Sequence, residues 1–135
     1  MSSVLLVDDS PSALQTVEML LTEAGHRVTA FTDGKGAIRA LRHETFDLIV
    51  TDIYMPEEDG LHVIQAGRRI CPNVPIVAMS GVTGNRDMLK VAKRLGACET
   101  LRKPFSKAAL LNAVGKALGT LPPGHIAVSR DYDAM

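Results

Sequence analysis

The chain has 135 residues, which is enough for one domain with a substantial core and too few for two ordinary domains. Its 15 basic and 15 acidic side chains cancel, and no basic stripe with interleaved aromatic residues supports nucleic-acid binding. Apolar runs are too short to cross a bilayer, and Cys71 and Cys98 form no paired motif. The composition therefore favours a reduced, cytoplasmic chain without a membrane partner.

Short apolar runs alternate with helical patterns along the chain. The first run, Val4 to Val7, is followed by Asp8-Asp9 and by Ser10-Pro11, a favourable helix start. The alternation recurs four times, with strands predicted at 27–31, 48–50, 74–79 and 99–102 and helices at 34–43, from about 60, at 85–95 and after Ser106. These units predict an α/β fold of three layers, a doubly wound parallel sheet in the strand order 2-1-3-4-5 between helices. The fold is expected to occupy residues 1–120 and to leave 121–135 as a C-terminal tail without a domain.

The predicted topology brings together the carboxyl ends of strands 1, 3, 4 and 5, where ligand sites form in such sheets. These ends deliver Asp8, Asp9, Asp52, Ser80 and Lys103. Carboxylates about 4 Å apart repel by roughly 4 kcal/mol per pair at an effective dielectric of about 20, unless a cation lies among them. Oxygen ligands of this kind suit Mg²⁺, which also binds phosphate oxygens. The pattern therefore predicts a magnesium site suited to phosphoryl transfer.

Position within this cluster separates the roles of the carboxylates. Asp8 and Asp9 are adjacent on a turn that opens a helix, which is typical of ligands. Asp52 stands alone at the end of the central strand, and we predict that it is the nucleophile that forms an acyl phosphate. Lys103 supplies a cation, and Ser80 supplies a hydroxyl donor, for the phosphoryl oxygens.

The ordered motifs LLVDDS, LIVTDIYMPEEDG, VAMSG and LRKPF resemble the receiver domain of bacterial two-component response regulators over about residues 3 to 119. The resemblance implies a flavodoxin-like fold with Asp52 as the phosphoacceptor. It implies that Asp9 binds the metal directly, that Asp8 binds it through water and that the backbone carbonyl of Tyr54 completes the protein ligands. The metal would be Mg²⁺, with Mn²⁺ as an alternative.

Further expectations follow from the same resemblance. Ser80 and Lys103 would contact the phosphoryl group, and the Lys103–Pro104 peptide bond would be cis. A histidine kinase or a histidine phosphotransfer protein would supply the phosphoryl group, and a downstream protein would receive the signal by contact or by onward relay. The chain would be a phosphoacceptor and not an enzyme acting on other substrates, and it would be a monomer or a weak dimer.

The C-terminal tail bears on how a signal leaves the protein. A DNA-binding output domain needs about 60 or more residues, which residues 121–135 cannot provide. A stand-alone receiver is therefore expected.

One position departs from the usual receiver pattern. Thr100 stands where receivers usually carry Tyr or Phe, so the aromatic side chain that ordinarily reports phosphorylation to the output face is missing. A pseudo-receiver, an interaction scaffold that does not use phosphorylation, is therefore kept as the alternative. A flavin-binding electron carrier of the same fold is a further rival, but Asp8-Asp9 would repel a flavin phosphate. The basic residues Lys90, Lys93 and Arg94 are interpreted as a solvated helix face.

Overall fold

The computed structural model describes residues 2–55, 60–81 and 86–119, except the side chains of residues 86 and 87. Helices and strands alternate along the whole described chain. In order they are β1 (Ser3–Val7), α1 (Pro11–Glu23), β2 (Arg27–Phe31), α2 (Gly34–His43), β3 (Leu48–Asp52), α3 (Gly60–Ile70), β4 (Ile76–Ser80), α4 (Arg86–Leu95), β5 (Glu99–Arg102) and α5 (Lys107–Leu118). All neighbouring strands pair in parallel, in the order β2-β1-β3-β4-β5. The predicted fold class and strand order are confirmed.

Side chains from alternate strand positions fill a separate core on each face of the sheet. Leu5 and Val7 contribute to the core beneath α2, α3 and α4, whereas Val4 and Leu6 contribute to the core beneath α1 and α5. β3 lies in the middle of the sheet and is buried along its whole length. Such strands, covered on both faces, are continuously apolar and not alternating, as the sequence predicted.

Capping side chains begin three of the helices. Ser10 accepts a hydrogen bond from Ala13 N at 3.4 Å, and Ser106 accepts one from Ala109 N at 3.0 Å. Asp33 does the same for α2 through Gly36 N. Each cap satisfies a backbone donor that has no partner within the helix. The helix starts predicted at Ser10-Pro11 and Ser106 are confirmed.

The fourth strand begins later than predicted. The ladder starts at Ile76 instead of Val74 and runs one residue further, to Ser80. Two features explain the late start: Pro75 has no backbone N–H to donate, and Arg68 Nη2 donates to the carbonyl oxygen of Val74.

Some sequence predictions concern residues that are not described. Residues 56–59 of the long acidic motif and the start of the fourth helix at Asn85 lie outside the described residues. The tail at 121–135 does as well. Among the helices that are described, none combines the length and the apolarity that a membrane span requires.

The first residue of α3 lies directly over the end of β3. Gly60 N donates to the carbonyl oxygen of Ile53 at 2.9 Å. A Cβ atom built on Gly60 would lie 1.8 Å from the carbonyl oxygen of Asp52, far inside any real contact distance. Only glycine therefore allows the chain to return this close to the strand end that carries Asp52.

Replacing Gly60 by alanine is expected to reduce the free energy of unfolding by about 2 kcal/mol or more, because the backbone of β3 or α3 must move to admit the methyl group. Urea unfolding measures the change. Gly81→Ala is the matched control, since a Cβ atom there meets nothing within 4 Å. The control should stay within about 0.5 kcal/mol of the wild type. Equal stability of the two variants would contradict the proposed close approach.

Candidate functional site

Three carboxylates meet at the carboxyl edge of the sheet. Asp8 and Asp9 directly follow β1, and Asp52 is the last residue of β3. Because Val7 pairs with Thr51 in the parallel register, Asp8 lies level with Asp52 on the neighbouring strand. One oxygen from each carboxylate lies within 4.8 Å of the other two. The topology therefore gathers acidic groups from distant positions, as the sequence predicted.

Lys103 follows β5 and brings a cation to this cluster. Its ammonium group donates to Asp8 Oδ2, and it lies 3.5 Å from Asp52 Oδ2. The Lys103 backbone N–H also donates to the carbonyl oxygen of Ser80 at 2.7 Å, which ties the end of β5 to the end of β4. One ammonium is thus shared between two carboxylates of the cluster.

The two buried carboxylates differ in how their oxygens are satisfied. Asp8 is fully buried, and its Oδ1 accepts a hydrogen bond from Ser10 N at 3.0 Å while its Oδ2 binds Lys103. Asp52 is 6% exposed, and its Oδ1 is buried with no hydrogen-bond partner among the residues described. An unpartnered buried carboxylate oxygen disfavours the ionised form. A cation bound beside it would remove this penalty.

The acid–base behaviour of Asp52 reflects the same surroundings. Burial raises its pKa from an ordinary value of 3.8 to about 6. The neighbouring ammonium of Lys103 opposes the shift, and the charges of Asp8 and Asp9 add to it. Asp52 therefore ionises near neutral pH in the metal-free protein, and bound cations favour its carboxylate form.

The donor set fits a divalent cation with a preference for oxygen. Asp8, Asp9 and Asp52 offer carboxylate oxygens close enough to share one ion. The unpartnered Oδ1 of Asp52 is the atom that gains most from such an ion. Mg²⁺ is commonly held by one or two carboxylates together with water and phosphate oxygens, which suits this arrangement.

The remaining predicted site residues lie around the cluster. Ser80 ends β4 and is buried, and Thr100 lies within β5 opposite Ala78. Tyr54 follows Asp52 by two residues and is 43% exposed. The Lys103–Pro104 peptide bond is cis, as expected. The roles of Ser80, Thr100 and the Tyr54 carbonyl stay predictions.

Two features of the site were not predicted from the sequence. Lys103 was expected as a phosphoryl contact, and its ion pair with Asp8 was not predicted. Gly60 was expected only at the start of a helix, although its lack of a side chain is what allows the chain to pass so close to Asp52. A glycine at the end of the acidic motif was the available signal for the second feature.

In the absence of divalent cations, Asp52→Asn is expected to raise the free energy of unfolding at about pH 8 by roughly 1–3 kcal/mol, since one pKa unit corresponds to ~1.4 kcal/mol. Because the pKa of the folded protein lies above the ordinary value of 3.8, ionisation of Asp52 destabilises the fold increasingly as the pH rises from about 4 to about 6, and fully above that. Well below pH 4 the carboxyl is neutral in both the folded and the unfolded state. The gain should therefore shrink as the pH falls. Urea unfolding in EDTA measures it.

Glu44→Gln on the exposed end of α2 is the charge-matched control, and its effect should stay within about 0.5 kcal/mol. A loss of stability in Asp52→Asn at about pH 8, or a gain of equal size at about pH 4, would contradict the burial penalty.

Comparison with known proteins identifies the family. Residues 4–115 match the family model described as the response regulator receiver domain. The chain is 34% identical over 122 residues to the response regulator protein FleR of Pseudomonas aeruginosa, covering 90% of this chain and 26% of FleR. It is 35% identical over 115 residues to the transcription factor SKN7 of Candida albicans, covering 85% of this chain and 20% of SKN7. The chain thus spans about a quarter or less of the length of these two relatives.

Solved structures give the same result. Chemotaxis protein CheY4 of Vibrio cholerae is 32% identical, with a TM-score of 0.80 over 87% of this chain and 99% of that one. A response regulator receiver domain protein from Clostridium thermocellum is 25% identical, with a TM-score of 0.82 over the whole of both chains. The chain belongs to the response regulator receiver domain family, whose members are the phosphoacceptors of two-component signalling.

Proposed function

We propose that Asp52 accepts a phosphoryl group from the phosphohistidine of a histidine kinase or a histidine phosphotransfer protein, in a reaction that requires Mg²⁺. The observation that carries this proposal is the state of the Asp52 carboxylate. One of its oxygens is buried without a hydrogen-bond partner in the described chain, and the other lies 3.5 Å from the Lys103 ammonium. A nucleophile beside a cation site and a mobile ammonium is the arrangement that phosphoryl transfer needs.

In the proposed step, one oxygen of the Asp52 carboxylate attacks phosphorus while the P–N bond of the phosphohistidine breaks. The electron pair of that bond goes to the imidazole nitrogen, and the proton already on the other ring nitrogen leaves the donor histidine neutral. Hydrolysis later removes the group. Water attacks phosphorus, its proton passes to solvent and Asp52 departs as a carboxylate.

The surrounding residues have distinct roles in this step. Asp8, Asp9, Asp52 and the backbone carbonyl of Tyr54 would hold Mg²⁺, or Mn²⁺ as an alternative, and the bound ion would neutralise charge that develops on the phosphoryl oxygens. Lys103 exchanges a carboxylate partner for a phosphoryl oxygen. Ser80 donates its hydroxyl to another phosphoryl oxygen from the end of β4.

The phosphorylated domain then acts on other proteins. The proposed receiver spans residues 1–120. The signal leaves by contact with a downstream protein or by onward transfer to another histidine, from a monomer or weak dimer. The pseudo-receiver alternative requires that Asp52 stays unphosphorylated, although the cluster of acids and Lys103 is complete.

Incubation with phosphoramidate and Mg²⁺ is expected to add one phosphoryl group per chain, because Asp52 is nucleophilic when a cation neutralises the cluster. Intact mass spectrometry measures the addition. Asp52→Ala should gain none, EDTA should suppress the reaction, and Glu44→Ala should react like the wild type. A wild-type chain that stays unmodified would support the pseudo-receiver, and equal labelling of Asp52→Ala would place the acceptor elsewhere.

Tyr54→Ala is expected to change the rate at which Asp52 loses its phosphoryl group by about threefold or more, because the ring follows the acceptor by two residues and screens attacking water. Its stability should change by under about 0.5 kcal/mol, since the side chain is substantially exposed. The decay of the phosphorylated mass measures the rate. Met19→Ala, an exposed residue on α1, is the control. Equal phosphoryl lifetimes would mean that the ring only packs on the loop.

The small side chain of Thr100 predicts a weak response at the face formed by α4, β5 and α5. Adding a beryllofluoride phosphoryl analogue with Mg²⁺ should therefore produce only small amide shifts over residues 86–118, apart from those nearest Lys103. Two-dimensional NMR of the ¹⁵N-labelled chain measures them, with Thr100→Tyr as the comparison. Large shifts across the whole of this face in the wild type would contradict the prediction.

A further inference from the structure

A second polar site lies between α2 and α3, away from the acidic cluster. A cavity of about 640 Å³ opens between these helices, and we call it the α2–α3 groove. Its lining includes the apolar residues Ile38 and Ala66 and the cations Lys35, Arg39, Arg42 and Arg69. None of these residues belongs to the site built around Asp52.

Helical spacing collects the cations on facing sides of the two helices. Lys35, Arg39 and Arg42 are separated by four and three residues, so they lie along one stripe of α2. On α3, Gln65 and Arg69 line the groove with the same spacing of four. The stripe on α2 is about 10 Å long at a rise of 1.5 Å per residue. Three positive charges thus lie along about two turns of α2, and Arg69 on α3 brings a fourth to the same groove.

Favourable interaction with the helix dipoles explains the positions of only some of these cations. Arg42 and Arg69 lie in the last turns of their helices, where a cation is favoured by the helix dipole. Lys35 lies in the first turn of α2, where a cation is disfavoured, and Arg39 lies mid-helix. The groove therefore holds more positive charge than the helix ends require.

No acidic residue among those described lines the groove. Within residues 2–55, 60–81 and 86–119, none of the four cations takes part in an ion pair. The whole chain has 15 basic and 15 acidic side chains, so removing these four leaves 11 against 15. A groove with a charge of +4 is therefore set in a remainder with a charge of −4. This separation of charge concentrates attraction for anions at one place.

We propose that the α2–α3 groove binds a small soluble phosphorylated anion of the size of pyrophosphate or a nucleotide. Three of its four cations are guanidinium groups, which bind phosphate oxygens in a bidentate manner. The volume lies within the range of small-molecule sites, roughly 300–1,000 Å³. Phosphate esters carry several charges on a short group, which matches four cations along about 10 Å better than single carboxylates do.

Phospholipid headgroups share this chemistry with free phosphate esters. The groove lies between two helices and is lined by apolar as well as cationic side chains. The shared ligand chemistry is therefore the phosphate group, and the comparison with phospholipid vesicles below distinguishes the two sources.

The proposal is tested by titrating the full ¹⁵N-labelled chain with pyrophosphate and, separately, with ATP. The buffer contains EDTA, so that Mg²⁺ cannot carry either ligand to the acidic cluster. Amide shifts are expected over residues 35–43 and 62–69. Calorimetry should show binding that weakens as salt is added.

The triple variant Arg39→Gln/Arg42→Gln/Arg69→Gln should lose affinity by about tenfold or more. The matched control Lys90→Gln/Lys93→Gln/Arg94→Gln removes the same charge from the exposed side of α4 and should change affinity by less than about twofold.

Several results would overturn the proposal. Absence of binding would do so, as would equal losses in the two triple variants, which would indicate attraction by net charge alone. Shifts centred on residues 8, 9, 52 and 103 would assign the anion to the acidic cluster. Tighter, groove-dependent binding of a hexaglutamate peptide would indicate an acidic protein segment. Tighter binding to vesicles that contain phosphatidylglycerol would indicate a membrane surface. The phosphoramidate experiment is independent of all these outcomes, because it concerns Asp52.

Discussion

Mutual repulsion among three carboxylates, opposed by one lysine, is the interaction on which the rest of this site depends. Unit charges within 4.8 Å of one another repel by roughly 3 kcal/mol per pair at an effective dielectric of about 20. The Lys103 ammonium donates to Asp8 and lies 3.5 Å from Asp52 Oδ2, which leaves the other Asp52 oxygen buried without a donor in the described chain. The close packing of the sheet on either side of the cluster offsets this local free-energy cost. The same arrangement would favour a bound cation, and it leaves one oxygen of Asp52 without a protein partner in the described chain, as the proposed phosphoryl transfer requires.

The sheet makes this concentration of charge geometrically stable. Parallel pairing places Asp8 and Asp52 at the same level of neighbouring strands, and two separate cores hold those strands from both faces. The close return of the chain at Gly60 then leaves no space for a side chain over the end of β3. Asp8 directly follows the buried residues Val4–Val7 of β1, and Asp52 ends the buried strand β3, so the packed sheet restricts how far the two carboxylates can move apart.

Most of the fold could be predicted, because the sequence of each strand or helix contains the apolar run or the capping residue that identifies it. Continuous apolar runs identified the buried strands, and Ser10-Pro11 and Ser106 identified helix starts that the capping hydrogen bonds confirm. Tertiary contacts explain what the sequence did not predict. The late start of β4 reflects Pro75, which the sequence shows, together with the hydrogen bond from Arg68 to Val74, which it does not. The α2–α3 groove depends on how two helices pack, which no pattern within either helix specifies.

The backbone hydrogen bond from Lys103 to Ser80 has a further consequence for the lysine side chain. It joins the main chains at the ends of β4 and β5 with a donor–acceptor distance of 2.7 Å, so the sheet fixes the point at which this side chain leaves the backbone. Beyond that point the ammonium is carried on a flexible four-carbon stem. The base of the side chain is therefore rigid and its charged tip adjustable, which lets one lysine lie near both Asp8 and Asp52.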